Sequence, residues 1–254
     1  MPFLLKPLVL FLAGLIAGVI NALVGGGTLL TFPTLIFYGL PAIVANATNT
    51  VGVLPGIVSS LWSYRRELAP QRRWMWRLLP PSLIGGLLGA YLLLHTGEAL
   101  FREFVPYLIL FATVLFTFSG PISRRLQVEA HTMERSRHAV AAAIAFQFCV
   151  GVYGGYFGAG IGILMLAALA MLGQKNIHEM NALRVSLGVT TNAVAAAYFI
   201  ASGLISWPEA ALVGVGCIAG GFAGPQIARA IGVKAVSVMV SVVGFAIGIY
   251  FLAR

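Results

Sequence analysis

The sequence predicts an all-α polytopic membrane protein, and three observations point to this fold class. Hydrophobic residues fill 59% of the 254 positions, charged residues fill only 9%, and the mean hydropathy is +0.95. A soluble domain carries about 25% charged residues, so this chain has too few charges to cover a water-exposed surface. Its apolar residues also form long continuous runs, as expected of helices that satisfy their own backbone in lipid. These features exclude a soluble enzyme, a secreted disulfide-linked module and a disordered chain.

Crossing the hydrocarbon layer takes about 20 apolar residues, and eight runs reach or approach that length. They cover residues 8–24, 43–64, 78–94, 104–118, 139–156, 181–201, 208–227 and 236–252. Two shorter runs, 28–38 and 161–172, each follow a glycine cluster that itself follows a longer run. We therefore expect about eight full spans plus two short helices, each preceded by a glycine break.

The succession of long run, glycines and short run occurs twice, which indicates two homologous halves. Residues 18–27 align with 151–160, and Asn46 aligns with Asn181 after a small insertion. If each short run crosses the membrane, each half has five crossings; if each returns as a re-entrant hairpin, each half has three. The first transmembrane half, the basic cytoplasmic linker and the second transmembrane half are expected at 1–118, 119–138 and 139–254.

The distribution of arginine predicts that the halves are inverted relative to each other. Loop 65–77 contains five arginines and the linker contains four, Arg124, Arg125, Arg135 and Arg137. Basic loops stay in the cytoplasm, so both segments are expected there. The counterpart of the first loop, 202–207, has no basic residue and is expected outside. An inverted repeat is typical of secondary transporters, with alternating access through movement between the halves.

The two glycine clusters are the first candidates for a binding site. They comprise Gly25, Gly26 and Gly27 followed by Thr28, and Gly158 and Gly160 in the second half. A break in a membrane helix exposes backbone N–H groups, which are tolerated only where they line a cavity or are buried in protein. The positive end of the following helix would suit an anion. Simple helix packing is the alternative, but the recurrence at matched places favours a site.

A polar cluster is the second candidate, formed in the first half by Asn46, Thr48, Asn49 and Thr50. In the second half it is matched by Asn181 and Arg184, with Ser186, Thr190, Thr191 and Asn192 beyond. Ordinary hydrogen bonding between helices is the competing interpretation. Arg184 lies about one turn inside its apolar run, where an arginine is costly unless it is paired or hydrated. It either extends to the membrane surface or supplies a fixed charge that holds an anion through a bidentate contact. Glu179, at the same end, is a candidate partner.

Several kinds of chemistry have no support in the sequence. All seven acidic residues are glutamates in or near loops, which argues against an embedded cation site or a carboxylate proton relay. The histidines lack metal-ligand spacing, and no nucleophile motif or nucleotide-binding loop is present. Cys149 and Cys217 lie in apolar runs and are interpreted as packing residues. We therefore expect no enzymatic activity, no cofactor and no metal.

These motifs resemble the TauE/SafE family of sulfite-exporter permeases. The resemblance rests on residues 17–33, on Ala45-Asn46-Ala47-Thr48-Asn49, which fits the family's small-x-small-Thr-Asn/Ser pattern, and on the second-half motif at 151–160. Where the family's second half usually has another small-Thr-Ser/Asn pattern, this chain has Ala182-Leu183-Arg184. The resemblance implies an inner-membrane permease. Its relatives are associated with sulfite, sulfonates and related organic acids, and they differ in substrate and direction.

The functional expectation is a secondary transporter for a small anion such as sulfite, a sulfonate or another small sulfur-containing or organic acid. The alternative is a passive anion channel, or a membrane scaffold subunit without transport. Expected partners are the small anion, membrane lipid and a proton or co-ion, with homo-oligomerisation left open. Nucleic acid is not expected as a partner, because topology explains the net charge of +9.

Overall fold

The structure is a computed structural model that describes residues 2–23, 25–119, 122, 137–172, 174, 176–231 and 233–253. Most of the predicted linker at 119–138 therefore lies outside the described residues. The helices are α1 (Pro2–Leu23), α2 (Thr28–Phe37), α3 (Ala42–Ser63), α4 (Arg65–Leu68), a 3-10 turn (Ala69–Gln71), α5 (Arg72–Thr96), α6 (Glu98–Thr117), α7 (Arg137–Tyr156), α8 (Ile161–Met171), α9 (Ile177–Ala201), α10 (Trp207–Ile231) and α11 (Val233–Leu252).

The all-α polytopic fold class is confirmed. Among the described residues there are no strands, and six helical stretches are long and apolar enough to cross a membrane. These are Leu5–Ala22, Ala42–Trp62, Arg65–Thr96, Glu98–Thr117, Arg137–Tyr156 and His178–Ala201. The two short helices expected after the glycine clusters are present as α2 and α8, with 10 and 11 residues. The total of eight full spans and the division into halves stay predictions.

Each short helix turns back along the helix before it. The Lys6 ammonium near the start of α1 lies 5.9 Å from the centre of the Tyr38 ring just after α2. Leu169 and Leu172 at the end of α8 belong to a hydrophobic cluster against which Val140 and Ile144 in the first turns of α7 also pack. These contacts bring the start of each long helix next to the end of the short one. Each short helix and the long helix before it therefore form a helical hairpin, and the number of crossings per half stays a prediction.

The two loops used to predict inversion lie at opposite ends of α9. At its beginning, the Glu179 carboxylate accepts hydrogen bonds from Gln71 in the arginine-rich loop and from Asn176, the latter at 3.0 Å. At its far end, the N–H of Ser206 donates to Thr48 Oγ1 at 3.0 Å, and Lys6 forms a 2.8 Å ion pair with Glu209. The two loops are therefore separated by the length of α9, and the inverted arrangement of the halves stays a prediction.

Two tight helix pairs join one half to the other. The helices α1 and α10 pack along each other, and α5 and α7 do the same, while α3 packs against α9 between them. Glycine makes both contacts possible. A Cβ atom at Gly18 would lie 2.9 Å from the backbone of Cys217, and one at Gly89 would lie 2.7 Å from the backbone nitrogen of Tyr156. Close backbone approach through small residues is a common way for membrane helices to associate.

Candidate functional site

The breaks after α1 and α7 have matching backbone geometry. Gly25 and Gly158, which the repeat alignment pairs, both adopt left-handed conformations, with φ of +79° and +81°. The Gly25 N–H donates to the carbonyl of Ile20 at 3.1 Å, and the Gly158 N–H donates to that of Tyr153 at 3.2 Å. Both bonds span five residues. Glycine adopts this backbone conformation without the steric cost that a side chain brings, so the glycine at each position is explained by the turn it makes.

A side chain bridges each break. Asn21 Oδ1 accepts from the Gly27 N–H at 2.8 Å, and the Tyr153 hydroxyl donates to the Ala159 carbonyl at 2.7 Å. Both contacts link residues six positions apart, although the residue types differ. Each break is therefore a fixed turn. A backbone N–H or carbonyl group outside the helix forms a hydrogen bond with a neighbouring polar side chain.

A cavity of about 50 Å³ lies between the two breaks. It is partly open, and residues from α1, α2, α3, α8, α9 and both breaks line it: Asn21, Gly25, Gly26, Thr28, Ile57, Gly158, Ile161, Gly162, Met165, Arg184, Val185, Gly188 and Asn192. One water molecule needs roughly 10–15 Å³, so the cavity has room for about three to five such groups. This volume suits a small anion and is far too small for a nucleotide.

Arg184 supplies the positive charge of this cavity. Its side chain is only 3% exposed, so it does not extend to water in this structure. A Cβ atom added to Gly25 would lie 2.7 Å from Arg184 Nη1 and 3.6 Å from the Cα atom of Gly162. The guanidinium of the second half thus meets the broken helix of the first half. Glu179, considered above as its partner, instead accepts bonds from Gln71 and Asn176.

The cavity lining is divided between polar and apolar groups. Asn21, Thr28 and Asn192 add amide and hydroxyl groups beside Arg184. The first residues of α8, Ile161 and Gly162, also line the cavity, and the first N–H groups of a helix have no partner within that helix. The remaining wall consists of apolar side chains: Ile57, Ile161, Met165 and Val185. Such a lining offers a compact anion both hydrogen-bonding groups and apolar contacts.

Five of the eleven predicted site residues line the cavity, namely Gly25, Gly26, Thr28, Gly158 and Arg184. Asn49 lies behind it: the Thr31 hydroxyl donates to its Oδ1, and its Nδ2 donates to Thr28 Oγ1 at 3.3 Å. Asn49 therefore positions the start of α2 and does not face the cavity.

The other predicted residues are placed around the cavity and do not line it. Asn46 donates from Nδ2 to the carbonyl of Tyr156 at 3.0 Å, at the end of α7. Thr48 accepts from Ser206 before α10. Gly27 and Gly160 precede the first residues of α2 and α8, and half-buried Asn181 lies in the second turn of α9. For Asn46 and Thr48 the interpretation as ordinary interhelical bonding agrees with these contacts.

Several lining residues are not among the predicted site residues, although the sequence already marks Asn192 as a member of the polar cluster. Gly188 and Asn192 follow Arg184 by four and eight positions, which places all three on one face of α9. Asn21 lies inside the first glycine motif. The repeat alignment does not identify it, because the matching residue in the second half is Gly154, which has no side chain. The apolar residues Ile57 and Met165 carry no such signal, since they resemble any other membrane-helix side chain. Within the described residues no cluster of histidine, cysteine or acidic groups could hold a metal ion.

Comparison with known proteins places the chain among membrane transporters. The family model described as "Sulfite exporter TauE/SafE" matches residues 10–251. A probable membrane transporter protein of Haemophilus influenzae is 29% identical over 238 residues, covering 93% of this chain and 91% of that protein. The probable membrane transporter protein YfcA of Escherichia coli K12 is 25% identical over 95% of this chain and 88% of its own length. No solved structure matches the chain significantly.

Proposed function

The chain belongs to the sulfite exporter TauE/SafE family of membrane transporters, and from this premise we propose that it transports a small oxyanion, such as sulfite or a short sulfonate, through the cavity between its two helix breaks. The observation that carries the proposal is the buried guanidinium of Arg184, which lines that cavity against Gly25.

The charge of Arg184 is the first support. Burying a cation within a membrane protein is expensive, and such residues commonly mark the path of a substrate or ion. The planar fork of donors on the guanidinium matches two oxygens of an oxyanion. The positive ends of α2 and α8, which begin beside the cavity, add to the same potential.

The size and division of the cavity are the second support. The roughly three to five water-sized positions accommodate the sulfur and three oxygens of sulfite. Arg184 and Asn21 offer N–H donors to the oxygens, while Ile57 and Met165 offer apolar contact to a short alkyl group. Sulfate has four acceptor oxygens, so a lining that is partly apolar would leave some of them without donors.

The proposal is tested by substituting Arg184 in purified protein. Arg184→Gln should weaken the binding of sulfite and methanesulfonate, read as ligand-induced thermal stabilisation, by tens- to thousands-fold. That range corresponds to roughly 2–5 kcal/mol for loss of a buried charge-assisted contact. Arg184→Lys should lose less, because it keeps the charge but not the fork.

The matched control is Arg102→Gln, which removes an exposed arginine near the start of α6. It should bind as the wild type does. Unchanged affinity in Arg184→Gln, at equal melting temperature without ligand, would remove Arg184 from the site. Flux in proteoliposomes separates the remaining classes: a transporter saturates with substrate concentration, a passive channel does not, and a scaffold gives no flux.

A further inference from the structure

The arginine-rich loop forms a strongly charged surface that anion transport does not explain. We call the five residues Arg65, Arg66, Arg72, Arg73 and Arg77 the basic surface; all are exposed or half-buried. Glu67 is the only acidic residue between them. Within the described residues, the Glu179 carboxylate of α9 contacts this loop at Gln71, and it is engaged by Gln71 and Asn176. The surface therefore keeps a large positive charge that a partner could neutralise.

The basic surface continues into an apolar stripe on the same face of α5. Arg73 and Arg77 are one turn apart, and positions 80, 84, 87 and 91 extend that face along the helix. The side chains of Ile84, Leu87 and Tyr91 are 61%, 45% and 45% exposed. In a membrane protein, large apolar side chains open to the surroundings face lipid. A molecule lying along this face would meet arginines at one end and hydrocarbon-facing groups along the rest.

Tryptophan residues place the basic surface at the level of the lipid headgroups. Trp62 and Trp76 are about two-thirds exposed, and tryptophan is enriched at the boundary between hydrocarbon and water. Two arginines are also held on aromatic rings, Arg65 at 4.7 Å from the Trp62 ring and Arg77 at 5.2 Å from that of Trp74. Stacking limits the motion of the guanidinium groups, so less freedom is lost when a phosphate binds.

From these three features we propose that the basic surface binds the phosphate headgroup of an anionic phospholipid in the cytoplasmic leaflet, with the acyl chains along Ile84, Leu87 and Tyr91 of α5. The headgroup complements the arginine charge, and the chains cover the apolar stripe. A soluble phosphate ion would contact the arginines but would leave the apolar stripe uncovered. The proposal concerns the lipid-facing exterior and does not depend on the identity of the transported anion.

The test compares the melting temperature of purified protein with phosphatidylglycerol and with phosphatidylcholine of the same chain length. Wild-type protein should be stabilised by several degrees more with phosphatidylglycerol, because a ligand that binds the folded state stabilises it. The Arg73→Gln/Arg77→Gln variant should lose most of that difference. The Arg73→Lys/Arg77→Lys variant should keep the larger part, and Arg102→Gln should keep all of it.

Equal stabilisation of the wild type by both lipids would overturn the proposal, as would a full difference in the double glutamine variant. Inorganic phosphate serves as the second arm. If it alone reproduces the phosphatidylglycerol effect, the surface takes a soluble anion and the lipid assignment is wrong. Should the double glutamine variant fail to fold, the single Arg73→Gln variant takes its place and should lose a measurable part of the difference. Retention of the whole difference there would again overturn the proposal.

Discussion

At the scale of single residues, the two halves use aligned positions in different ways. Asn49 and Arg184 align in the repeat, yet Asn49 bonds to Thr28 and Thr31 of its own half, whereas Arg184 lines the cavity against Gly25 of the other half. The cavity is therefore bordered by similar breaks on both sides but charged from one side only. If the cavity takes an anion as proposed, the guanidinium would contact that anion from the second half only.

Gly25→Ala should weaken anion binding in addition to lowering thermal stability through backbone strain. Alanine at φ +79° costs roughly 1–2 kcal/mol, and its Cβ atom would also displace Arg184 Nη1, which lies 2.7 Å away from that position. Gly203→Ala is the matched control, because Gly203 has φ +73° and open space for a Cβ atom. Both variants should lose similar thermal stability, but only Gly25→Ala should lose affinity. Equal affinities would show that the guanidinium does not depend on Gly25.

Gly188→Ala should stabilise the protein and reduce the space for substrate. A Cβ atom at Gly188 meets nothing within 4 Å, and alanine is favoured over glycine inside a helix by roughly 0.5–1 kcal/mol. The added methyl group would enter the cavity. The affinity for a longer alkanesulfonate should therefore fall by a larger factor than the affinity for sulfite. Titration of both ligands by thermal shift measures this. A parallel loss for both would argue that Gly188 does not border the substrate.

At the scale of helices, the important element is α2, which is short and begins at the cavity. Its first turn is attached to α3 through Asn49, which contacts both Thr28 and Thr31. Asn49 is almost fully buried, so its amide cannot exchange these partners for bulk water. We therefore infer that Asn49 is a positioning residue, which keeps the positive end of α2 directed at the bound anion.

Thr31→Val and Asn49→Ala should weaken substrate affinity through the same contact. If so, the double variant should be no worse than the poorer single variant, since coupled residues are not additive. Thr34→Val is the control, because the Thr34 hydroxyl bonds within its own helix, to the Leu30 carbonyl at 2.7 Å. Rescue of part of the affinity by Asn49→Gln would support positioning, whereas fully additive losses would contradict it.

At the scale of the whole molecule, the two halves are interlocked. The helix α1 of the first half packs on α10 of the second, and α5 of the first half packs on α7 of the second. Both interfaces bring backbones into contact through glycine. The movement between halves that the sequence suggests would therefore have to separate both pairs. We expect relative motion to occur elsewhere, with each tight pair moving as one unit.

The loops at 65–77 and 202–207 should label from opposite sides of the membrane. We would replace Cys149 and Cys217, introduce Cys at Arg66 or Ser202, and treat right-side-out vesicles with an impermeant maleimide. Ser202→Cys should react in intact vesicles, whereas Arg66→Cys should react only after lysis, because the arginine-rich loop is expected inside. Reaction of both variants from the same side would rule out the inverted arrangement.

Much of the fold could be predicted because apolar length and glycine position act locally. The short helices and the breaks at Gly25 and Gly158 follow from such patterns, and so does the position of Arg184 inside an apolar helix. The role of Asn46 and Thr48 could not be predicted in the same way. Their bonding partners, Tyr156 and Ser206, lie 110 and 158 residues away, and only the packing of one half on the other brings them together. Polarity identified these residues, but tertiary structure decides what they contact.

The pairing of α1 with α10 also constrains how the protein is made. Lys6 and Glu209, which form the ion pair at the start of that interface, are 203 residues apart. A ribosome adding about 5–20 residues per second needs roughly 10–40 seconds to cover that distance. During that time the glycine face of α1 is in the bilayer without its final neighbour. The helix α1 can therefore reach its final packing only after α10 has been synthesised. A gene truncated before α10 would encode a chain in which α1 lacks this packing surface.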